Sequence, residues 1–391
     1  MAMAAAPHPE VLMLTSRRTA VAAFGYGRID VPREYGTTWN CERDNLDMLR
    51  MSGPKLTRIH QVIGPVTAQN PASELAGIRR RAAALARRLD SSAGPVDIIT
   101  QYVEPFIGAE VVRDFGVPSD DWDARIYRPT NIVLGLRESD DARDAIRAEW
   151  AGIYDYCHPL VEYRRRSTDH SVVSRSVTAL HQAGFDDRQI GHVIATFLTG
   201  YPTPVPVLSA CIAELLARPQ ALADCRRDPG GYAMALREII RQNANFAYGS
   251  PRLITDDLPI RSGGGPELTI KAGTVVVPNV RRALNDPAEA ADPETFNMTR
   301  PGISKFSLAY GTGPHRCPFV WRSFHWMLIG LEEFCRAHPG ARLAYAGERT
   351  RGLLALPKGY WVTGLGTSGP GGPGGMSGMS GLAGHAEVAL A

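Results

Sequence analysis

Residues 308–319 read LAYGTGPHRCPF. Gly311 and Gly313 permit positive φ and close backbone approach, so this stretch can wrap tightly around the lone cysteine at 317. Residues 321–337 then return to helical periodicity with Trp and Leu on the pattern, which puts Cys317 just ahead of a helix. A helix N-terminus offers a dipole and unpaired N–H groups that favour negative charge on sulfur. On spacing alone, a Gly-rich turn before an ordinary core cysteine explains the segment equally well.

The rest of the chain narrows the choice. Six cysteines, at 41, 157, 211, 225, 317 and 335, form no C-x-x-C pair and no regular spacing, against a zinc cluster or a disulfide framework. With 391 residues, 44% hydrophobic and 21% charged, the composition is that of a globular protein with a sizeable core. The net charge of +3 gives no electrostatic case for nucleic acid. No run approaches a membrane span, and the start, MAMAAAPHPE, has no signal-peptide pattern, so a cytoplasmic location and no membrane association are expected. Arg79, Arg80, Arg81, Arg87 and Arg88 make a local basic patch, either a solvated helix face or a docking surface for an acidic protein.

Apolar residues recur at three- and four-residue steps in 73–90, 141–165, 187–218 and 231–243, predicting a helical middle. From 251 to 300 short β-prone segments, LTI and TVVVP, alternate with turn residues and predict a small sheet. The fold class expected is mainly α with a minor β region, as one domain over 1–366. Residues 367–391 are dominated by Gly, Ser, Pro and Ala and read as a flexible tail. No internal repeat is evident.

Through Tyr310, Gly311, Gly313, His315 and Cys317 the loop resembles the haem-binding segment of the cytochrome P450 family, F-G-x-G-x-H/R-x-C-x-G. Tyr310 replaces the usual Phe, and Phe319 the final Gly, which questions the tightness of the junction with the following helix. The resemblance spans roughly residues 10–365. It implies a P450-like fold, haem b as cofactor and Cys317 as the axial iron ligand, with thiolate donation promoting O–O cleavage. Glu238 and Arg241 in LREIIRQNANF match the family's E-x-x-R helix. Arg252 in SPRLITDDLPI and His315 match propionate-binding positions. In GPKLTRIHQVIG, Leu56 and His60 stand where the family has a histidine and an arginine; His60 is a substitute propionate ligand or simply a surface or satisfied helix histidine. Asp292, Pro293 and Phe296 fit the segment before the loop, but Thr295 replaces the arginine that usually joins the Glu238–Arg241 pair, and Arg300 is a candidate to complete it. VLMLTSRRTAVAAFGYGRID resembles a strand and helix that the family places further into its chain.

The segment 187–218 resembles the family's distal helix. Aligned on Pro219, Thr199, Gly200, Pro202 and Thr203 fall on the A-G-x-D/E-T motif, so Thr199 replaces the alanine and Pro202 the acid. Prolines at 202 and 204 remove N–H donors and predict a kink or unwinding. Thr203 is either part of a proton relay or a cap for a carbonyl freed by proline. Asn243, Asn245, Phe246 and Tyr248 follow the E-x-x-R helix, where the family commonly lines its pocket, and Pro202 borders it.

The resemblance implies a monooxygenase-type oxidoreductase acting on a small molecule, with electrons from ferredoxin and a ferredoxin reductase. Arginine outnumbers lysine 39 to 4, which is associated with GC-rich genomes and hence with specialised-metabolite biosynthesis. Three chemistries stay open: dioxygen activation for monooxygenation or oxidative coupling, use of peroxide, and rearrangement, coupling or dehydration without oxygen insertion. A non-catalytic relative that activates a partner enzyme is the rival from another class.

Overall fold

The computed structural model describes residues 11–25, 29–30, 48, 51, 53–68, 72–130, 140–167, 169, 171–200, 202–228, 230–243, 248–260, 268–302, 308–348 and 358–366. The sequence expected as a tail, 367–391, lies outside the described residues, as do Asn245 and Phe246.

Twelve α-helices of five or more residues organise the described chain: α1 Arg17–Gly25, α2 Gly53–Thr67, α3 Ala72–Ala86, α4 Glu104–Phe115, α5 Asp140–Arg166, α6 Val172–Gln182, α7 Asp187–Gly200, α8 Pro204–Leu216, α9 Pro219–Arg227, α10 Gly231–Gln242, α11 Val280–Leu284 and α12 Val320–Ala337. Short π-helical turns, Ile99–Val103 and Trp122–Tyr127, flank α4. The helical stretches read from periodicity agree to within a few residues, except that 73–90 stops at Ala86, leaving Arg87 and Arg88 in a turn, and 187–218 divides in two.

The β elements are β1 Val11–Leu14, β2 Ile29–Asp30, β3 Val96–Asp97, β4 Arg252–Ile254, β5 Leu258–Ile260, β6 Leu268–Ile270, β7 Val275–Pro278, β8 Arg342–Ala346 and β9 Tyr360–Thr363. They form sheets of order β1-β7-β4-β2, β3-β9-β8 and β5-β6. β1 runs parallel to β7, with Val11 opposite Val275, while β4 lies antiparallel to both β7 and β2. The front segment thus supplies two of the four strands of this sheet, and residues after 250 supply the other two.

Most buried side chains belong to one core shared by α2–α10, α12 and the β3-β9-β8 sheet. α12 is its centre: Trp326 is fully buried, and Tyr102 donates a 2.7 Å bond to the Gly330 carbonyl. Such a phenol finds a partner because an unpaired buried hydroxyl costs more than the bond contributes. Asp187–Leu216 is long and apolar enough by composition to cross a membrane, but 76% of its apolar window is buried inside the molecule, as in a core helix.

Charges also enter this core. Arg322 is fully buried on α12 and pairs with Asp114 at 2.9 Å and Glu74 at 2.7 Å, while Arg81 grips Glu110 through two bonds of 2.7 and 2.5 Å. Arg79 bonds Glu332 and Glu333. The basic run is therefore partly spent on internal pairs, leaving Arg80, Arg87 and Arg88 as its solvated members.

Candidate active site

The cysteine loop is two 3-10 turns, Leu308–Tyr310 and Gly313–His315, joined through Gly311 and entering α12. Gly311 and Gly313 have φ of 69° and 67°, and a Cβ on Gly313 would meet the Phe24 carbonyl oxygen at 2.5 Å. No other residue type fits there without displacement. The Cys317 N–H donates to the Tyr310 carbonyl at 2.9 Å and the Arg316 N–H to that of Gly313 at 3.1 Å, closing the loop from both sides. Phe319, as N-cap of α12, has φ −100° and ψ 17°, a conformation open to any residue, so the junction does not require the glycine expected at that position.

Burial pushes the Cys317 thiol up to about 11, against a hydrogen bond from the Phe319 N–H and the charge of Arg316, both of which favour the thiolate. An electrophile at the sulfur completes the balance toward the anion. Among the described residues no cluster of three or more His, Cys, Asp or Glu side chains is placed to bind a metal.

On the other side of the loop, Arg252 is 3% exposed, and burial lowers its pKa to about 10. Its guanidinium lies over the Phe24 ring at 4.6 Å and reaches the Ala23 carbonyl only at 3.5 Å, while its Nε has no partner among the described residues. Burial, then the charges of Arg252 and His60, lower His315 to about 3, opposed by a bond to the Met48 backbone. Burial also lowers His60. Among the described residues no carboxylate pairs with this buried guanidinium, and a ligand carrying carboxylates would supply its counter-charge. Leu56 is fully buried in the core and contributes nothing polar to this cluster. The residues present thus fit haem on both counts, a sulfur for the iron and a guanidinium with two imidazoles for the propionates.

Glu238, completely buried, is the hub behind the loop. Arg241 donates to its two oxygens at 2.8 and 2.9 Å, Arg300 through Nε at 3.1 and 3.3 Å, and the Asn297 N–H at 3.1 Å. Arg300 also donates to the carbonyls of Ala291, Asp292 and Thr295. It occupies the place left open by Thr295, whose backbone rather than side chain takes part.

The distal helix is broken. α7 ends at Gly200, α8 starts at Pro204, and buried Pro202 lies between. Thr203 donates its hydroxyl to the Gly200 carbonyl at 2.7 Å, capping an acceptor released by the missing proline N–H. Thr199 spends its hydroxyl on the Ala195 and Thr196 carbonyls. Of the expected pocket residues, Asn243 caps α10 and is half-buried, whereas Tyr248 is 45% exposed and bridges to Asn279, at the surface rather than in a pocket. No local signal in the sequence points to Phe24 over Arg252, or to Phe319 packing edge-on against Phe197 of α7 at 4.7 Å.

No family model matches the chain. It is 26% identical over 311 residues to cytochrome P450-SU2 of Streptomyces griseolus, covering 78% of this chain and 72% of that one. It is 24% identical over 227 residues to luteothin monooxygenase of Streptomyces thioluteus, covering 57% of this chain and only 54% of that protein. The solved structure of P450BioI with an acyl carrier protein superposes with a TM-score of 0.76 at 19% identity, covering 90% of this chain and 91% of that one. Fold and site together define a protein of the haem-thiolate class. The chain has the cytochrome P450 fold and is similar in sequence to curated bacterial members of that family, whose haem b is carried on a cysteine thiolate.

Proposed function

We propose that the chain is a haem-thiolate monooxygenase-type oxidoreductase that acts on a specialised-metabolite intermediate in the cytoplasm. Electrons come from a ferredoxin and its reductase, and oxygenation or oxidative coupling is the outcome. The observation that carries this reading is the buried Arg252 guanidinium beside the half-buried imidazoles of His315 and His60, next to a lone cysteine loop. Named relatives that are bacterial monooxygenases support the reaction class.

Haem b held there supplies redox chemistry that activates dioxygen, aided by thiolate donation. The chain supplies the rest. Cys317 presents its sulfur with one N–H bond from Phe319, which moderates its donation. Arg252, with His315 and His60, would hold the propionates of that haem. Proton handling differs from the family's acid-alcohol pattern: Pro202 has no acidic group, and the Thr203 proton is committed to the Gly200 carbonyl. Water or an acidic group of the substrate then delivers protons, with the Thr203 oxygen as an acceptor that orients it.

The same break favours a second reading, a peroxide-using or non-inserting enzyme that needs no relay. An auxiliary protein without chemistry is the third, and it is separated by haem content. The primary test is the reduced carbon monoxide spectrum of the purified protein. A thiolate-type red-shifted band is expected, absent in Cys317→Ala and retained in Cys335→Ala; an unaltered band in Cys317→Ala refutes the assignment.

A further inference from the structure

Phe319 stands where the family resemblance expects glycine, yet its backbone does not need one. Its side chain is 7% exposed, with ring centroids 4.7 Å from Phe197 at an interplanar angle of 80° and 6.2 Å from Phe115 of α4. Its N–H bonds the Cys317 sulfur, and its carbonyl accepts from the Ser323 N–H at 2.9 Å and hydroxyl at 2.8 Å, opening α12. One residue therefore touches the ligand sulfur with its backbone and the distal helix with its ring.

The distal helix has reason to use such a contact. α7 ends three residues beyond Phe197, and the prolines that follow interrupt the hydrogen-bond ladder through which α8 would otherwise hold its end in register. A lateral aromatic contact is then an anchor for the last turn of α7, and the Phe115 ring keeps Phe319 from turning away from it. We propose that Phe319 is a positioning residue, a strut that couples the end of α7 to the N–H···S bond on Cys317 and so sets the spacing between the cysteine loop and the distal helix.

This inference rests on Cys317 being the haem ligand. Displacement of α7 by a ligand should be felt at the sulfur, and loss of either ring should uncouple the two. The experiment measures the iron–sulfur stretching frequency by resonance Raman, with imidazole affinity of the holoenzyme, for wild type, Phe319→Gly, Phe319→Leu, Phe197→Ala and Phe197→Leu. Phe319→Gly should shift the frequency, Phe319→Leu should restore most of it, and Phe197→Ala should reproduce the shift from the other side of the contact. In the Phe197→Leu/Phe319→Leu cycle, imidazole Kd should depart from additivity by about two- to tenfold, the range to which an aromatic pair's coupling converts. Should Phe319→Gly or Phe197→Ala fail to fold, the two leucine variants and their cycle decide alone. A packing role without coupling lowers the melting temperature of every variant but leaves the frequency unmoved and the cycle additive, and that result overturns the proposal. A wild-type protein lacking the thiolate band instead removes the haem-ligand assignment, and the strut with it.

Discussion

Replacing Arg300 by methionine tests the interior behind the haem loop. The side chain is 7% exposed, its Nε lies 3.1 Å from a Glu238 carboxylate that is completely buried, and its Nη2 donates to the Thr295 carbonyl at 2.7 Å. Its removal leaves Glu238 with one cation instead of two and strips donors from the Ala291, Asp292 and Thr295 carbonyls. Breaking a buried pair by deleting one partner costs about 3–5 kcal/mol, because the surviving charge stays desolvated. Set against a typical net stability of about 5–15 kcal/mol, this is a large fraction. The assay is urea unfolding of the holoprotein at constant m, with Arg166→Met as the control. That surface arginine, paired with Glu162 at 2.7 Å and mostly exposed, should cost under about 0.5 kcal/mol. Arg300→Lys should fall between, keeping the charge but losing the planar fork. Thr295→Arg in the Arg300→Met background should recover part of the loss, since residue 295 adjoins the vacated site. A cost below about 1 kcal/mol for Arg300→Met, in line with the surface control, refutes the assignment of Arg300 as the third member of the cluster.

Arg252→Leu should accelerate haem loss, because a charge-assisted bond of about 1.5–3 kcal/mol disappears; transfer of haem to an apomyoglobin acceptor measures it, and a wild-type rate removes the role. Thr203→Ala should change product formed per NAD(P)H by only a few-fold, about 1 kcal/mol or less in barrier, since its hydroxyl proton is already committed to Gly200. A hundredfold fall with matching peroxide release contradicts that. For pH, the His315 pKa of about 3 in the folded chain lies below its ordinary 6.5, so the unfolded apoprotein binds the extra proton between those values. Apoprotein stability should be complete above pH 6.5 and decline as pH falls toward 3, by at most about 1.4 kcal/mol per pH unit from this group. Melting curves of wild type and His315→Gln from pH 7 to 4 should show a flatter decline in the variant, and haem should flatten the wild-type curve by supplying carboxylates to the site.

What was legible in the sequence is what is local. The Gly311–Cys317 loop and the Glu238–Arg241 spacing each lie within one turn or loop, where residue type alone constrains the backbone. Pro202 and Pro204 announced the helix break for the same reason. Arg300 was legible as a candidate only because a partner for the pair was missing at 295. Contacts across the sequence were not legible. Phe24 comes to Arg252 from a helix more than 200 residues earlier, and Arg81, one of a run of apparently solvated arginines, turns inward because α4 places Glu110 beside it. Phe319 showed in the sequence only as a departure, since nothing near it predicts Phe197 as a neighbour. Tyr248 followed the family's pocket position but lies at the surface, because its backbone bridges to Asn279 at the end of β7.

The parallel pairing of β1 with β7 also bears on how the chain is made. Val11 meets Val275, a partner roughly 260 residues downstream, and Ile29 must wait for Ile254. At synthesis rates of about 5–20 residues per second, β1 leaves the ribosome roughly 13–50 s before its neighbour exists. Val11 and Met13, 52% and 44% exposed even when folded, remain uncovered with the rest of the strand throughout that interval. The helices over 53–242 can begin to associate meanwhile from contacts closer in sequence, but α12, the centre of the core, is made after β7, so the sheet can close before the core is complete. Yield in a fast-translating host should accordingly depend on chaperones that shield the nascent N-terminal strand.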